Sequence, residues 1–135
     1  MDTGLRRDRV AAARVARLAT VDLTGMPHLV PICFVLIGEH VYHAVDHKPK
    51  RTPHLRRIAN LEATGRASLL VDEYDEDWAR LWWVRLDGTG RVLPPDPESD
   101  AALDALVAKY PQYRLARPAG PVLALDIATW RAWPP

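Results

Sequence analysis

A basic segment precedes Thr52 and Pro53, in the run His47-Lys48-Pro49-Lys50-Arg51. Threonine is a good helix N-cap and proline suits the first helical position, so the pair predicts a helix that begins at Pro53. Arg56 and Arg57 would then lie near its start. Cations conflict with the positive end of a helix dipole, and a bound anion such as a phosphate would relieve that conflict. The alternative interpretation is a solvated basic loop.

Three tryptophans, Trp78, Trp82 and Trp83, occur within six residues. In a strand, Trp82 and Trp83 point to opposite faces, so one belongs to the core and the other needs cover. A partner subunit or a flat ligand would supply that cover. Together with the basic segment, this pattern favours a planar ring that carries a phosphate; ordinary packing of both rings is the alternative.

Several chemistries lack the residues that they need. Cys33 is the sole cysteine and lies in an apolar run, which predicts a buried, inert thiol. The acidic run of residues 72–77 has no glycine at its sixth position, so it is not a calcium loop. His43 and His47 have no third ligand placed near them, so we expect no metal site. No Gly-x-Ser-x-Gly, P-loop or Gly-x-Gly-x-x-Gly pattern is present.

Length and composition predict one domain over residues 1–135, with a core built from the 48% of residues that are hydrophobic. The net charge of +1 argues against nucleic-acid binding, which uses a broad basic surface. We find no signal peptide and no apolar run long enough to span a membrane, so we expect a cytoplasmic protein with no membrane partner.

Hydrophobic periodicity predicts about six antiparallel strands with inserted helices, an α+β fold in which a small barrel hides the strand edges. A first helix is expected from Leu5 to about Arg17. Expected strands cover 18–21, 27–37, 40–45, 67–71, 80–93 and 122–127, with a bend at Asp87-Gly88. The helix that begins at Pro53 should end at Thr64-Gly65, and Asp96-Pro97 should start a helix that runs through Lys109. Pro31 indicates an edge strand or a bulge.

The order of these motifs resembles the pyridoxamine 5′-phosphate oxidase-like split β-barrel superfamily, over about residues 6 to 128. The closest resemblance is to its actinobacterial branch that uses the deazaflavin coenzyme F-420. The quoted segments are Arg17-Leu18-Ala19-Thr20, residues 25–31, Val41-Tyr42-His43-Ala44-Val45-Asp46, residues 55–60, residues 67–71, and Trp82-Trp83-Val84-Arg85-Leu86-Asp87-Gly88.

This resemblance implies a homodimeric, FMN-binding-protein-like split barrel with two cofactor sites at the subunit interface. It implies that the Pro31 strand and the third strand line the ring, and that the basic segment holds the phosphate. Lys50 falls at the family's phosphate-binding lysine, although the register among Lys48, Lys50 and Arg51 is open. The residues expected to bind cofactor are Pro31, Ile32, Cys33, Ala44, Val45, Asp46, Lys48, Lys50, Arg51, Thr52, Arg57, Trp82 and Trp83.

The function that follows is hydride transfer between coenzyme F-420 and a small, conjugated or aromatic substrate. The cofactor carries that chemistry, so no protein nucleophile is expected. His28, Tyr74 and His43 are candidates to protonate a product, and the sequence does not select among them. The alternatives are an FMN-dependent oxidoreductase of the pyridoxamine phosphate oxidase type, and a protein that binds a flavin or a tetrapyrrole without turnover.

Overall fold

The computed structural model describes residues 1–46 and 55–135. Its helices are α1 (Thr3–Ala12), α2 (Arg56–Ala63), α3 (Pro97–Lys109) and α4 (Pro111–Leu115). Its strands are β1 (Ala16–Val21), β2 (Pro27–Ile32), β3 (Val35–Ile37), β4 (His40–Ala44), β5 (Arg66–Glu73), β6 (Trp82–Leu93) and β7 (Val122–Trp133). The expected α+β fold with antiparallel strands is confirmed.

The seven strands form one antiparallel sheet in the order β2-β1-β5-β6-β7-β4-β3. A flat sheet of this size would be about 29 Å wide, since neighbouring strands lie about 4.8 Å apart. Yet β2 and β3, at its two edges, are joined by only Cys33 and Phe34. Three Cα steps reach at most about 11 Å, so the sheet must curl until its edges meet. The curled sheet is therefore a barrel with a split between β2 and β3.

We call the link Cys33–Phe34 the seam. The expectation of one strand over 27–37 was wrong. The chain crosses from one edge of the sheet to the other at the seam, so this range contains two strands, β2 and β3. The Tyr110 hydroxyl accepts from the Phe34 N–H at 3.0 Å, and its own proton is shared between the carbonyl oxygens of Arg14, at 2.9 Å, and Phe34, at 3.1 Å. The ammonium of Lys109 also donates to the Phe34 carbonyl, at 2.9 Å. The Tyr110 hydroxyl and the Lys109 ammonium thus satisfy the backbone groups of Phe34, which lie outside the strand ladders.

Apolar side chains form two cores, one on each side of β4. Val41 and Val45 point into the barrel, where they join Phe34, Leu69 and Leu86. The alternate residues of β4 pack under α3, in a second cluster with Leu103, Leu106 and Tyr110. β4 is therefore buried on both faces, and its residues Tyr42 and Ala44 contact the apolar cluster under α3.

The helix predictions were partly right. α3 begins after Asp96, whose carboxylate accepts from the Ser99 N–H at 2.7 Å, and it ends at Lys109 as expected. α1 stops at Ala12 rather than Arg17 because the chain already enters β1 at Ala16. α2 begins at Arg56, three residues after the expected start at Pro53. The short α4 was not predicted.

The long strands β6 and β7 lie in the middle of the sheet and join its two halves. Their register shifts between Asp87 and Gly88, so the expected bend is confirmed. β7 continues past the expected end at Ile127 to Trp133, because β6 offers it a partner along that whole length. Pro31 lies in the edge strand β2, and an edge strand was one of the two locations expected for it.

Candidate functional site

A buried histidine connects the seam to helix α2. His43 lies on β4 and is 7% exposed. Its Nδ1 lies 2.9 Å from the carbonyl oxygen of Cys33, and its Nε2 lies 3.2 Å from the Nε of Arg57. A carbonyl only accepts and a guanidinium only donates, so Nδ1 carries the proton and Nε2 is the acceptor. His43 is therefore a neutral spacer that fixes Arg57 relative to the seam.

Helix α2 has Leu55 as its N-cap, and the side chain of this residue makes no capping hydrogen bond. The first turn contains no acidic residue and instead carries Arg56 and Arg57. Leucine has no side-chain acceptor, and the expected cap, Thr52, lies outside the described residues. The positive end of the helix dipole thus coincides with two guanidinium groups.

The electrostatics of this region favour an anion. Arg57 is partly buried, and burial lowers its pKa. Burial also lowers the pKa of His43 to about 4, so the imidazole does not add charge at neutral pH. Within residues 1–46 and 55–135, Arg57 makes no ion pair with a carboxylate. A desolvated cation without a counter-ion is a binding point for an anionic group.

His28 lies close to the same region. It projects from β2, and its pKa is lowered by burial and then by the charges of Arg56 and Arg57. Its Nδ1 is buried and has no hydrogen-bond partner among the described residues. Tyr74 is 64% exposed and its hydroxyl bonds Glu76, on the turn between β5 and β6. Of the three candidate proton donors, His28 and His43 lie beside Arg57 and Tyr74 does not.

A second group of polar side chains surrounds Cys33 on the α3 side. Cys33 is partly exposed and lies in the seam, so the expectation of a buried thiol within a strand was wrong. The pKa of Tyr113 is raised by burial and then by the nearby thiol of Cys33, with a smaller contribution from Asp46. Burial, followed by the charge of Arg14, lowers the pKa of Lys109 to about 8.

The outer face of the sheet carries a groove of about 530 Å³. We call this the outer groove; the side chains that line it include Arg17, Ala19, Leu29, Ser68, Leu70, Asp72, Trp83 and Arg85. Strand register places Pro31 on this face too, since Pro31 pairs with Arg17, which pairs with Leu70. Leu29 is 68% exposed, so the groove presents apolar surface to solvent.

The residues expected to bind cofactor fall into separate groups. Cys33 and Arg57 lie on either side of His43, and Asp46 lies near Tyr113. Ile32, Ala44 and Val45 have buried side chains, which leaves only their backbone for a ligand. Lys48, Lys50, Arg51 and Thr52 lie outside the described residues.

The two tryptophans of this set lie apart from Arg57 within one chain. Trp82 packs against the core and lies under the guanidinium of Arg9, 4.8 Å from its ring centroid, whereas Trp83 lines the outer groove. Their opposite orientation was expected. Ten residues of β6 separate Trp82 from Val92, which pairs with Leu123, the partner of His43 in β4. That is up to about 33 Å along the strand, so Trp82 and Trp83 lie toward the opposite end of β6 from the level of His43.

The described part of the chain contains no group of three His, Cys, Asp or Glu side chains that could hold a metal ion. Among the same residues, no helix combines the length and the apolar character that crossing a bilayer requires.

Comparison with known proteins agrees with this architecture. The family model for pyridoxamine 5′-phosphate oxidase matches residues 5–134. The chain belongs to the pyridoxamine 5′-phosphate oxidase family. A search of curated proteins gives no match. The family assignment supports the split-barrel fold, and the family includes oxidoreductases; it does not single out the F-420 branch.

Solved structures share the fold of this family member at low sequence identity. A conserved hypothetical protein from Mycobacterium tuberculosis is 20% identical, with a TM-score of 0.80, and the match covers 98% of this chain and 84% of that one. An FAD-binding protein from Mesorhizobium loti is 22% identical, with a TM-score of 0.73 and coverages of 98% and 94%. HutZ, a heme storage protein from Vibrio cholerae, is 14% identical, with a TM-score of 0.74 and coverages of 97% and 92%.

Two residues near the seam were missed by sequence reasoning in this family member. Lys109 was predicted only as the last residue of α3, with no functional role, and Tyr113 lies in a helix that was not predicted. One signal could have found Lys109: it is the only lysine outside the basic segment, in a chain that otherwise uses arginine for its cations. Its contact with the seam spans 75 residues and has no local pattern.

Proposed function

We propose that this chain is an oxidoreductase that binds a phosphate-bearing flavin-type cofactor beside the seam and helps to move a hydride to or from it. Coenzyme F-420 is the proposed cofactor, and FMN is the alternative. The substrate is a small molecule that reaches the ring from solvent. The family supports oxidoreductase chemistry, and the FAD-binding neighbour supports a flavin-type ring.

The observation that carries this proposal is the start of α2. Arg57 is a partly buried cation at a helix N-terminus whose N-cap residue, Leu55, makes no side-chain hydrogen bond, and the described residues give Arg57 no acid. A phosphate fits because it brings negative charge and several acceptor oxygens to guanidinium and N–H donors. Lys48, Lys50 and Arg51 precede this point in sequence and would add charge to the same group.

The residues around the seam then have distinct roles. A bound flavin or deazaflavin would supply the hydride chemistry. Arg57 would hold the phosphate, His43 would keep Arg57 in position, and the backbone of Ile32, Cys33 and Ala44 would face the ring. His43 does not supply a proton at neutral pH, because its pKa is about 4. His28 has a ring nitrogen without a partner among the described residues, and its pKa is lowered as well, so we propose that its neutral ring offers a hydrogen bond to the ligand and does not act as a charged acid.

We propose that the outer groove is covered by a second copy of this chain. Arg17, Arg85 and Arg131 form a basic row across β1, β6 and β7, and Asp72 lies in the same groove. A twofold axis would place the basic row of one subunit against the acidic side chains of the other. Such a dimer would also cover Leu29 and Trp83, and it would bring Trp82 and Trp83 of one subunit toward the seam of its partner.

A direct test is a titration of the purified protein with coenzyme F-420 and with FMN, followed by quenching of tryptophan fluorescence. We expect both to bind and F-420 to bind more tightly. Equal or reversed affinities would replace F-420 by FMN, and no binding of either would refute the proposal. Haemin serves as a third titrant because one neighbour is a heme storage protein. Both nitrogens of His43 are engaged, so that residue is not a heme ligand.

The loop lysines and the dimer are tested separately. Lys50→Ala should weaken cofactor binding ten- to hundredfold, about 1.5–3 kcal/mol. Lys48→Ala and Arg51→Ala locate the register, and three variants with unchanged binding would remove the basic segment from the site. Light scattering should give a dimer at micromolar concentration, and Leu29→Arg should shift it toward monomer. A stable wild-type monomer would refute the shared interface.

A further inference from the structure

Lys109 is a cation near Cys33 that has no counter-ion in the described residues. Its ammonium donates to the Phe34 carbonyl at 2.9 Å and lies 4.1 Å from the centroid of the Phe34 ring. Phe34 is fully buried, and Lys109 itself is partly buried. Within residues 1–46 and 55–135, no carboxylate lies within ion-pair distance of its Nζ.

A second cation stands beside Lys109. Arg14 donates to the backbone carbonyl of Lys109 at 2.8 Å, and its guanidinium lies 4.8 Å from the ring centroid of Tyr110. The Lys109 ammonium lies 5.3 Å from the same centroid. Arg14 likewise has no carboxylate partner in the described part of the chain. Two like charges on one aromatic ring repel each other, and the negative end of the α3 dipole, worth about half a charge, offsets part of that repulsion.

The other titratable groups around Lys109 do not cancel this charge. Tyr110 and Tyr113 are neutral hydroxyls on the α3–α4 side, and Cys33 is the thiol in the seam. Asp46 follows β4 and acts on Tyr113, and it is not among the groups that perturb Lys109. The net local charge is therefore positive at neutral pH, next to the seam backbone that the proposed ring would face.

We propose that Lys109 and Arg14 form an anion subsite that holds the carboxylate of a substrate beside the seam. This inference rests on the proposed function, since it names the substrate class of the same site: a small molecule that bears a carboxylate. Arg57 binds the phosphate of the cofactor on the β4 side, and Lys109 binds the acidic group of the reacting partner on the α3 side. The two anions occupy separate cation centres.

In the free protein, burial and then the charge of Arg14 disfavour the protonated form of Lys109. A bound carboxylate would favour that form, so it should raise the pKa of Lys109 from about 8 toward its ordinary value near 10.4. By linkage, the carboxylate binds most tightly when Lys109 is protonated. Its affinity should therefore be constant below pH 7 and should fall about 25-fold between pH 7 and pH 9.5.

The chain offers an unusually clean measurement, because it contains only three lysines: Lys48, Lys50 and Lys109. Lysine labelled with ¹³C at Cε gives three NMR signals, and Lys109→Arg identifies the third. We expect the Lys109 signal of the cofactor-free protein to titrate near pH 8. Benzoate, a planar carboxylate, should raise that midpoint by more than one pH unit at constant ionic strength. Inorganic phosphate at equal concentration should have a smaller effect.

Each outcome decides the matter. If benzoate leaves the Lys109 midpoint in place, or if phosphate or the cofactor alone moves it as far as benzoate does, the carboxylate subsite is refuted. Tryptophan quenching by F-420 or FMN tests the cofactor site independently, so that site can stand when the subsite fails. Loss of both would refute the proposed function as well.

Variants supply a second readout. Lys109→Gln and Arg14→Gln should each weaken benzoate binding about tenfold and leave cofactor affinity within about twofold. Arg114→Gln is the matched control, because Arg114 is an exposed arginine of α4 that donates to the Ala108 carbonyl, at the same end of α3, and makes no other side-chain hydrogen bond to the residues that the structure describes. Equal effects of Arg114→Gln and Lys109→Gln would show a diffuse charge effect and would overturn the subsite.

Discussion

Two arginines on facing parts of the barrel differ in how their charge is balanced. Arg91 of β6 donates to Glu98 at 2.7 Å and to Asp126 at 2.7 Å. Its carboxylates are themselves held, by Tyr42 and by His40. Arg57 of α2, in contrast, has one hydrogen bond to a neutral imidazole and no acid in the described residues.

This difference separates architecture from binding. The Arg91 network joins β4, β6, β7 and α3, and every charge in it meets an opposite charge from the same chain, so it needs no ligand. Among the described residues, Arg57 has no carboxylate partner, which is why we propose that it binds an anion. An arginine that is paired with carboxylates of its own chain stabilises the fold. An arginine without such a partner lowers the stability of the free protein, and the binding of an anion restores that stability.

The largest expected effect is an acid-dependent loss of stability at His43. Its pKa is about 4 in the folded protein and near 6.5 when unfolded, so the unfolded chain takes up the proton first. Stability should therefore fall by about 2–3 kcal/mol as the pH drops from 6.5 to 4. The Arg91 network acts in another window, because Arg91 lowers the pKa of Glu98 from its ordinary value to about 2 and its contribution is lost only below about pH 4.5.

Chemical denaturation between pH 4 and pH 7 checks this window. His43→Gln keeps a donor and an acceptor but does not titrate, so its stability should change less over that range than that of the wild type. If both proteins lose the same stability between pH 6.5 and pH 4, His43 is not the group responsible.

The second effect is on cofactor affinity. Arg57→Met removes the unbalanced cation, and we expect F-420 or FMN to bind ten- to hundredfold more weakly, about 1.5–3 kcal/mol. The free energy of unfolding should change by less than about 1 kcal/mol. Arg66→Met is the control, since Arg66 is an exposed arginine at the start of β5. Similar affinity loss in both variants would point to net charge instead of a site.

Arg91→Met should show the opposite pattern. It leaves Glu98 and Asp126 without their shared cation, so we expect about 1–2 kcal/mol of lost stability and unchanged cofactor affinity. The figure stays modest because these side chains are about a third or more exposed and water screens them. Unaltered thermal unfolding, or a clear loss of cofactor affinity, would break the distinction between the two arginines.

The smallest effect is expected at the edge of the network. Tyr42→Phe removes one hydrogen bond, of 2.7 Å, to Glu98 and keeps the ring in its apolar cluster. A loss of about 0.5–1 kcal/mol is expected by urea unfolding. The mid-point of the low-pH transition should also rise, because the hydroxyl helps to lower the pKa of Glu98. A neutral result would confine the network to its ion pairs.

Local patterns were sufficient for much of the fold. Asp96-Pro97 specified the start of α3, alternating apolar residues specified most strands, and Asp87-Gly88 marked the bulge. The break at Cys33–Phe34 was missed, because its cause is the closure of a seven-stranded sheet and not a turn motif in residues 27–37. The late start of α2 was missed because Thr52-Pro53 carries a genuine start signal, yet the helix has Leu55 as its N-cap.

The candidate site was predictable only in part. Arg57 and Cys33 were nominated from sequence, and the structure links them through His43. Lys109 and Arg14 were not, since residues from three separate elements meet there and no spacing rule connects them. Trp82 and Trp83 were assigned to opposite faces correctly by strand alternation, but alternation gives no distance from Arg57.

The seam also sets the order in which the barrel is expected to form. The hydrogen bonds between Tyr110 and Phe34 join residues 76 positions apart, whereas the hairpin of β3 and β4 closes within ten residues. Loop-closure entropy delays long-range contacts, so the seam should close after the hairpins and after α3. Contacts made late are absent from the transition state, and their removal speeds unfolding more than it slows folding. Tyr110→Phe should therefore act chiefly on the unfolding rate, and the seam is expected to be the last part of the barrel to close and the first to open.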